Sequence, residues 1–463
     1  MDILAQSGSP FMQSDFTIGV ATSSFQIEGD AENREPSIWD TFCNTPGKIA
    51  DNSHGLVACD HVNRLEEDLA IIDSLNVDAY RFSISWPRII KKDGSVNQQG
   101  LDFYLALLAK LKQNNIKPYV TLYHWDLPQY LEDDGGWLNR DTAYAFEKYV
   151  DVVSKAFGDK VFSYATLNEP FCSAYLGYEI GMHAPGLVGK EYGKKAIHHL
   201  LLAHGLAMRV LRKNAPNIES GVVLNFTPFY ANSSDEKDIR ATKLAHDHHN
   251  DWYIKPLMHG CYPALIDEIP AAHRPDIHAG DMDIIAEKID YLGVNYYTRA
   301  KVTDDGSEDP CQLPAPEGSE TTAMGWEVYP QGLTDLLLQL HNDYSLPPLI
   351  ITENGLASDD TLAPDGTVND EQRIRYLTTH LKAVADAIEA GVNITGYFVW
   401  SLLDNFEWSL GYEKRFGIVY VDYQTQQRTL KASALKLQQL LGKRQDSIKK
   451  PGEVNATEQI TAE

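Results

Sequence analysis

The chain has 463 residues, of which 43% are hydrophobic and 23% charged, a balance typical of a soluble globular protein. Its formal net charge of −25 at pH 7 disfavours nucleic acid and anionic membrane surfaces as partners and favours a neutral ligand. The five cysteines form no CxxC pair, which argues against a disulfide framework and against a zinc ribbon. We therefore expect reduced thiols.

The first residues, MDILAQSGSP, contain neither a basic leader nor an apolar segment. Elsewhere no uncharged apolar run approaches the roughly 18 residues that a membrane span needs. We therefore expect a cytoplasmic protein that is a monomer or a homo-oligomer.

Eight short runs rich in β-branched and aromatic residues predict β-strands. In chain order they are FTIGVAT (16–22), DAYRFSIS (78–85), KPYVTLYH (117–124), FSYATLN (162–168), SGVVLNFT (220–227), DYLGVNYY (290–297), PLIITEN (348–354) and ITGYFVW (394–400). Amphipathic segments between them predict helices, among them residues 101–115 and 371–391. Gly391 is placed to supply a left-handed turn at the end of the second of these helices.

Strands that alternate with helices predict an α/β fold, and eight such units predict a closed (β/α)8 TIM barrel. We expect this single domain to cover residues 16–441, between an N-terminal extension (1–15) and a polar, loosely packed C-terminal tail (442–463). The extra length over a typical barrel is expected in long strand-to-helix loops, which are residues 23–65, 171–195, 300–330 and 401–430. An open doubly wound sheet is the alternative, but no GxGxxG follows the first strand.

Two predicted strands end on a carboxylate. Glu169 follows strand four in ATLNEP, and Glu353 ends strand seven in IITENG. Because active sites of such barrels lie at the C-terminal ends of the strands, we expect the two carboxyl groups to face each other across the mouth. An opposed pair, one ionised and one protonated, is what glycosidic bond cleavage requires, with retention at a separation of about 5–5.5 Å. The alternative is that each Glu caps a helix or lies in a surface loop.

Eight motifs, in order along the chain, resemble those of glycoside hydrolase family 1, the retaining β-glucosidases. They are QIEG (26–29), YRFSISWPRI (80–89), LYHWDLP (122–128), TLNEP (166–170), HAPG (183–186), NYYT (295–298), ITENG (351–355) and WSLLDNFEW (400–408). One departure is Ile18, where the family usually has Trp, and we expect it to affect barrel packing more than catalysis.

The resemblance implies that Glu169 is the acid/base and Glu353 the nucleophile, which Arg81 and Tyr297 support. It implies a set of residues that bind the inner sugar, namely Gln26, His124, Asn168, Asn295, Trp400, Glu407 and Trp408. It also implies a leaving-group (aglycone) subsite formed by Trp125, Cys172, Trp326 and Phe416. The resemblance implies no metal and no organic cofactor.

Two residues narrow the expected substrates. Family members that act on 6-phosphorylated sugars carry Ser at the position of Glu407, and a carboxylate there would repel a phosphate. Plant thioglucosidases carry Gln at the position of Glu169, so Glu169 indicates O-glycosides. We therefore expect small neutral β-glycosides as partners, such as cellobiose, cello-oligosaccharides and aryl or alkyl β-glucosides, with β-galactosides and β-fucosides as further candidates.

Histidine clusters suggest a rival function. His198, His199 and His204 fall on one predicted segment, and His246, His248 and His249 on another, which would suit a metal-dependent barrel hydrolase. Their spacing does not favour it, because the chain has no HExxH and positions i and i+5 share a helix face poorly. A second rival is a catalytically silent sugar-binding barrel, although both candidate glutamates are retained.

Overall fold

The computed structural model describes residues 1–307 and 309–449, and eight parallel strands form a closed barrel at its centre. In chain order the strands are β1 (Thr17–Ala21), β2 (Ala79–Ser83), β3 (Lys117–Thr121), β4 (Ser163–Asn168), β5 (Glu219–Asn225), β6 (Tyr291–Asn295), β7 (Leu349–Asn354) and β8 (Ile394–Trp400). Each strand pairs with the next, and β8 closes the ring by pairing with β1 from Thr17↔Gly396 to Ala21↔Trp400. The predicted (β/α)8 barrel and all eight predicted strands are confirmed.

Helices surround the barrel and fill its loops. They are α1 (Ser24–Ile27), α2 (Ile38–Cys43), α3 (Leu65–Ser74), α4 (Trp86–Ile89), α5 (Gln98–Gln113), α6 (Gln129–Asp133), α7 (Asp141–Phe157), α8 (Lys190–Asn214), α9 (Glu236–His246), α10 (Trp252–His259), α11 (Asp281–Ile285), α12 (Pro330–Asp343), α13 (Glu371–Glu389) and α14 (Ala432–Lys449). The two helices predicted in detail are α5 and α13. Gly391 has φ 102° just after α13, which confirms the predicted left-handed turn.

Large side chains fill the inside of the barrel below its mouth. The ring of Tyr119 on β3 meets that of Phe398 on β8 edge to face at 4.8 Å, and Tyr291 donates to the backbone oxygen of Tyr164. Gly19 on β1 makes room for this layer, because a Cβ there would lie 2.4 Å from the Phe398 ring. The barrel is thus a packed core that supports the floor of the cavity above it.

Two small sheets lie in the long loops. Phe229–Ala231, Ala300–Thr303 and Cys311–Leu313 form one, and Val419–Val421 pairs with Arg428–Leu430 in the other. They give regular structure to loop segments for which periodicity predicts none. Among the described residues no helix combines the length and the hydropathy that crossing a membrane requires.

The predicted loose packing of the chain from Gly442 onwards is wrong for its first eight residues. Helix α14 continues through Gly442 to Lys449. Arg444 is buried in it and donates to the backbone oxygens of Phe11 and Phe16, while pairing with Asp78 at 2.8 Å. Arg444 thus connects the N-terminal extension to the barrel, and a polar residue in this segment is part of the packed fold. Residues 450–463 of the predicted tail lie outside the described residues.

Candidate active site

A cavity of about 760 Å³ opens at the C-terminal ends of the barrel strands. Most of the predicted site residues line it: His124, Trp125, Glu169, Cys172, Asn295, Tyr297, Trp326, Glu353, Trp400, Glu407, Trp408 and Phe416. The remaining three, Gln26, Arg81 and Asn168, are buried directly behind this lining and hydrogen-bond to it. The structure therefore brings together every residue that the sequence assigned to the site.

Glu169 follows the last residue of β4 and is 5% exposed. Its backbone N–H donates to the carbonyl of Val223 on β5, which fixes the start of the loop. Its two carboxyl oxygens have different partners: Oε1 accepts from Asn295 Nδ2 at 2.6 Å, and Oε2 accepts from Cys172 Sγ at 3.1 Å. Both donors belong to neutral groups, and no cation among the described residues is bonded to this carboxyl group.

Glu353 lies within β7, one residue before its end, and is 3% exposed. Arg81 Nη1 on β2 donates to Oε1 at 2.7 Å, and the Tyr297 hydroxyl donates to Oε2 at 2.7 Å. A charge-assisted bond and a phenol bond on separate oxygens fix the orientation of the carboxyl group.

The two glutamates belong to one hydrogen-bonded network. Arg81 Nη2 also donates to Asn168 Oδ1 at 2.6 Å, and Asn295 Nδ2, which binds Glu169, lies 3.2 Å from the same oxygen. Strands β5 and β6 separate β4 from β7, so the two glutamates belong to strands three positions apart in the ring of eight. Asn295 lies at the end of β6, one of the two strands between them.

The two carboxyl groups have different surroundings, and these surroundings favour different protonation states. Burial and the negative charge of Glu353 raise the pKa of Glu169 to about 8. Burial also raises the pKa of Glu353, and it outweighs the opposing effects of Arg81 and Tyr297. Because Arg81 is bonded to Glu353 and not to Glu169, a single negative charge shared by the pair is favoured on Glu353 and the proton on Glu169.

A second group of polar side chains lies on the opposite side of the cavity floor. Gln26 Nε2 donates to Asn405 Oδ1 at 2.8 Å and to the Phe406 carbonyl at 2.9 Å, and lies 3.4 Å from Glu407 Oε2. Burial and the negative charges of Glu353 and Glu169 raise the pKa of Glu407 to about 8. These partners hold Gln26 in place and leave much of the Glu407 carboxyl group for a ligand.

His124 lines the cavity and has a buried ring nitrogen with no hydrogen-bond partner among the described residues. Its ring stacks on Trp400 and Trp408, each at an interplanar angle of 16°. Burial and the charge of Arg81 lower its pKa well below the usual value, so the ring is neutral. Its Nε2 accepts from Asn168 Nδ2 at 3.2 Å, which leaves the proton on Nδ1, a buried atom with no partner in the described chain. A buried donor of this kind is suited to a ligand oxygen.

Aromatic rings form the outer part of the cavity. Tyr297 lies between Trp326 and Phe416, with centroids 5.6 and 6.0 Å away, and Trp125 packs on Trp408 at 4.7 Å. Further lining residues were missed by sequence reasoning: Phe171, Leu176, Met182, Thr298, Arg299 and Gln312. They lie in or beside the loops 171–195 and 300–330, which we placed at the mouth, but loops without periodicity do not reveal which side chains point inward.

The backbone of the site is strained and closely packed. Three non-glycine lining residues have positive φ, namely Trp125 (79°), Glu169 (45°) and Trp408 (52°). Such conformations cost about 1–3 kcal/mol each and are concentrated at functional sites. Gly355, two residues after Glu353, lies against β8, because a Cβ there would be 1.8 Å from the carbonyl oxygen of Trp400.

The histidines that suggested a metal centre have other partners. His198 bonds to Tyr262 and Asp281, His199 to the Trp137 carbonyl, and His204 to Thr166. In the second cluster, His246 bonds to Asp251, His249 packs on Phe171 and His248 stacks on Trp252. Within residues 1–307 and 309–449, no three His, Cys, Asp or Glu side chains converge as metal ligands.

Comparison with known proteins gives one consistent result. Residues 9–445 match the family described as Glycosyl hydrolase family 1. The chain is 47% identical over 426 residues to a β-glucosidase of Agrobacterium sp., which covers 90% of this chain and 93% of that protein. It is 41% identical over 449 residues to a bifunctional β-D-glucosidase/β-D-fucosidase of Bifidobacterium breve, with 90% and 95% covered. The solved structure of a Thermotoga maritima β-glucosidase in complex with glucoimidazole superposes with a TM-score of 0.90 at 44% identity, over 93% of this chain and 99% of that one.

Proposed function

Because the chain belongs to glycosyl hydrolase family 1 and is a retaining β-glucosidase, we propose that it removes terminal β-D-glucosyl residues by double displacement at the barrel mouth. The observation that carries this assignment of the site is the unequal pair of carboxyl groups. Glu353 is bonded to a cation, and Glu169 is bonded to none within the part of the chain that the structure describes. A nucleophile and an acid need this division of charge.

In the first step, Glu353 attacks the anomeric carbon while Glu169 transfers its proton to the departing glycosidic oxygen. The carbon–oxygen bond breaks and a covalent glycosyl–Glu353 ester forms. In the second step, water attacks the same carbon, Glu169 accepts a proton from that water, and the ester bond breaks. Two inversions give a sugar of the original β-configuration.

The remaining polar groups at the cavity floor suit a pyranose. Asn295 supplies an amide group, His124 an imidazole ring and Glu407 a carboxyl group for two neighbouring hydroxyls, and Gln26 and Asn168 add amide groups directly behind them. Trp400 and Trp408 line the same cavity and provide apolar faces for the C–H side of the ring. In this proposal these residues bind the sugar that is transferred.

The proposed substrates are uncharged. Glu407 with Glu169 and Glu353 makes the inner site carboxylate-rich, which disfavours a sugar phosphate. The similarity to a bifunctional glucosidase/fucosidase supports β-fucosides as additional substrates, and β-galactosides differ only at one hydroxyl. The aromatic outer cavity, with Trp125, Cys172, Trp326 and Phe416, is compatible with aryl leaving groups as well as with a second glucose.

A substrate panel tests this function. We expect hydrolysis of cellobiose and of 4-nitrophenyl β-D-glucoside, weaker hydrolysis of the matching β-fucoside and β-galactoside, and none of the 6-phosphoglucoside. Proton NMR of the fresh product should show the β-anomer first. An α-anomer as first product would overturn the double displacement, and loss of activity on treatment with a chelator would favour the metal-dependent rival.

Location and assembly are part of the proposal. All five cysteines are free thiols, with Cys59 and Cys172 buried, which is compatible with a cytoplasmic protein that is a monomer or a homo-oligomer. Cell fractionation and light scattering of the purified protein would test these two points.

A further inference from the structure

The acid/base has a neighbour that the double displacement does not yet use. Cys172 lies three residues after Glu169, at the start of the π-helical segment Cys172–Glu179. Its backbone N–H donates to the Glu169 carbonyl, and its thiol points back to the carboxyl group, with Sγ 3.1 Å from Oε2. Sequence resemblance places this residue in the leaving-group subsite, but its contact in the structure is with Glu169.

The partner of the other oxygen determines where the acid proton resides. Asn295 Nδ2 donates to Oε1 at 2.6 Å, and Thr352 Oγ1 fixes the Asn295 orientation by donating to its Oδ1 at 2.6 Å. An amide nitrogen donates and does not accept, so Oε1 must be an acceptor. The proton of the neutral acid therefore lies on Oε2, the oxygen that Cys172 contacts.

We propose that Cys172 is a positioning residue for the acid/base, and that its thiol holds the reacting oxygen of Glu169 and favours the ionised carboxylate. This inference rests on the proposed function. When Glu169 is ionised, the thiol donates to Oε2 while that oxygen accepts the proton from water. When Oε2 carries the proton, the thiol occupies one side of this oxygen and leaves the hydroxyl free for the glycosidic oxygen.

The thiol remains a donor throughout this cycle. Burial and the negative charges of Glu169 and Glu353 raise the pKa of Cys172 well above its usual value. The charged and titratable groups that line the cavity with Glu169, or lie directly behind it, are Arg81, His124, His183, Tyr297, Arg299, Lys301, Glu327, Glu353 and Glu407. None of these is hydrogen-bonded to Oε2, so substitution of Cys172 removes this oxygen's only side-chain hydrogen bond among the described residues.

The first test is the pH dependence of kcat/KM for a poor leaving group, in Cys172→Ala, Cys172→Ser and the wild type. The alkaline limb reports the ionisation of Glu169. Loss of the thiol donor should move this limb to higher pH by about half a unit, because a thiol is a weak donor to a charged acceptor. Ser keeps a donor and should restore the limb to the wild-type position or below it. Coincident limbs in Ala and wild type would overturn the proposal.

The second test separates this role from simple contact with the leaving group. Two aryl glucosides of similar size are compared, one with an acidic phenol (2,4-dinitrophenyl) and one with a weakly acidic phenol (3,4-dimethylphenyl). Misplacement of the acid should lower kcat/KM of Cys172→Ala about tenfold for the second substrate and little for the first, since the first needs no protonation. An equal loss for both would assign Cys172 to aglycone packing instead.

Cys261→Ala serves as the control, because Cys261 is exposed and outside the cavity. Thermal unfolding of all variants checks that they fold. Failure of the underlying function is distinguishable, since it would appear as unchanged kcat/KM of Glu169→Gln toward the 3,4-dimethylphenyl substrate, whatever Cys172 does.

Discussion

Two regions next to each other contain buried charges, and they differ in how those charges are balanced. At the mouth lie the carboxyl groups of Glu169, Glu353 and Glu407, and among the described residues only Glu353 of these three pairs with a cation, the buried Arg81. Behind the loops that follow β7 and β8 lies a second group, the ion network, with three cations and three carboxylates: Arg373, Arg415, Lys431, Asp360, Asp370 and Asp404.

The difference shows what each region is built for. In the ion network, Lys431 bonds to Asp360 and Asp404 at 2.6 Å each, and nearby cations keep the pKa of Asp360 below its usual value. At the mouth, the carboxyl groups lack matching cations, and the pKa values of Glu169 and Glu407 rise to about 8. Balanced charges hold a loop, whereas unbalanced ones store and transfer a proton.

The largest effect should follow removal of the carboxylate that Arg81 holds. Glu353→Ala leaves no nucleophile, and we expect kcat to fall on the order of 10⁵-fold on aryl glucosides. Thermal unfolding should show a folded protein. Turnover at the wild-type rate would contradict the assignment of Glu353 as the nucleophile and the catalytic role of the carboxyl groups at the mouth.

Glu169→Gln should remove the proton donor while the nucleophile remains. We expect a loss of about 10³-fold for leaving groups that need protonation and a much smaller loss for 2,4-dinitrophenyl glucoside. The decline of wild-type kcat/KM above pH 8, where Glu169 loses its proton, should be absent in the variant. A series of aryl glucosides assayed from pH 5 to 10 measures both effects.

A substitution in the ion network should lower the stability of the fold, and its main effect should not be on catalysis. Lys431→Met leaves Asp360 and Asp404 buried with fewer cations, and we expect a loss of about 3–5 kcal/mol in the free energy of unfolding. Lys436→Met is the matched control, since its ion pair with Asp2 is long and partly exposed, and it should change stability by less than about 0.5 kcal/mol. Urea titration measures both free energies of unfolding. Similar losses in the two variants would contradict a special role of the ion network in stability.

A smaller effect is expected from Tyr297→Phe, which deletes the phenol bond to Glu353 and retains the ring between Trp326 and Phe416. We expect kcat/KM to fall about 10–100-fold, because a single donor to a buried carboxylate is lost. An unchanged rate would mean that Arg81 alone orients the nucleophile.

The smallest effect concerns stability against pH. The folded-state pKa of Glu407 lies above its ordinary value, so its proton stabilises the fold below pH 4.5, and that contribution is lost as pH rises through 8. Glu407→Gln has no such proton to lose. Above pH 8 its free energy of unfolding should exceed that of the wild type by on the order of 1 kcal/mol. Thermal melts at pH 5 and 9 test this. An equal difference in stability between variant and wild type at both pH values would show that the titration of Glu407 is not its cause.

The sequence was most informative where one physical requirement determined the residues. Short runs rich in β-branched and aromatic residues located all eight strands, and Glu169 and Glu353 were placed at one mouth because parallel strands end together. It was least informative where partners come from distant segments. The bonds of Arg444 to Phe11 and Phe16 join residues more than 400 positions apart, so a polar helix end looked like a tail. The contact between Cys172 and Glu169 depends on the turn that follows β4, in which the Cys172 N–H bonds to the Glu169 carbonyl, and no periodicity indicates that turn.

The left-handed backbone at Trp125, Glu169 and Trp408 sets a limit on engineering. Replacing such a residue by glycine relieves backbone strain. Selection for heat resistance alone would therefore favour substitutions at active-site positions, where they would impair catalysis. Variants intended for hot processing are better sought in the helical shell, with catalytic rate scored at each round.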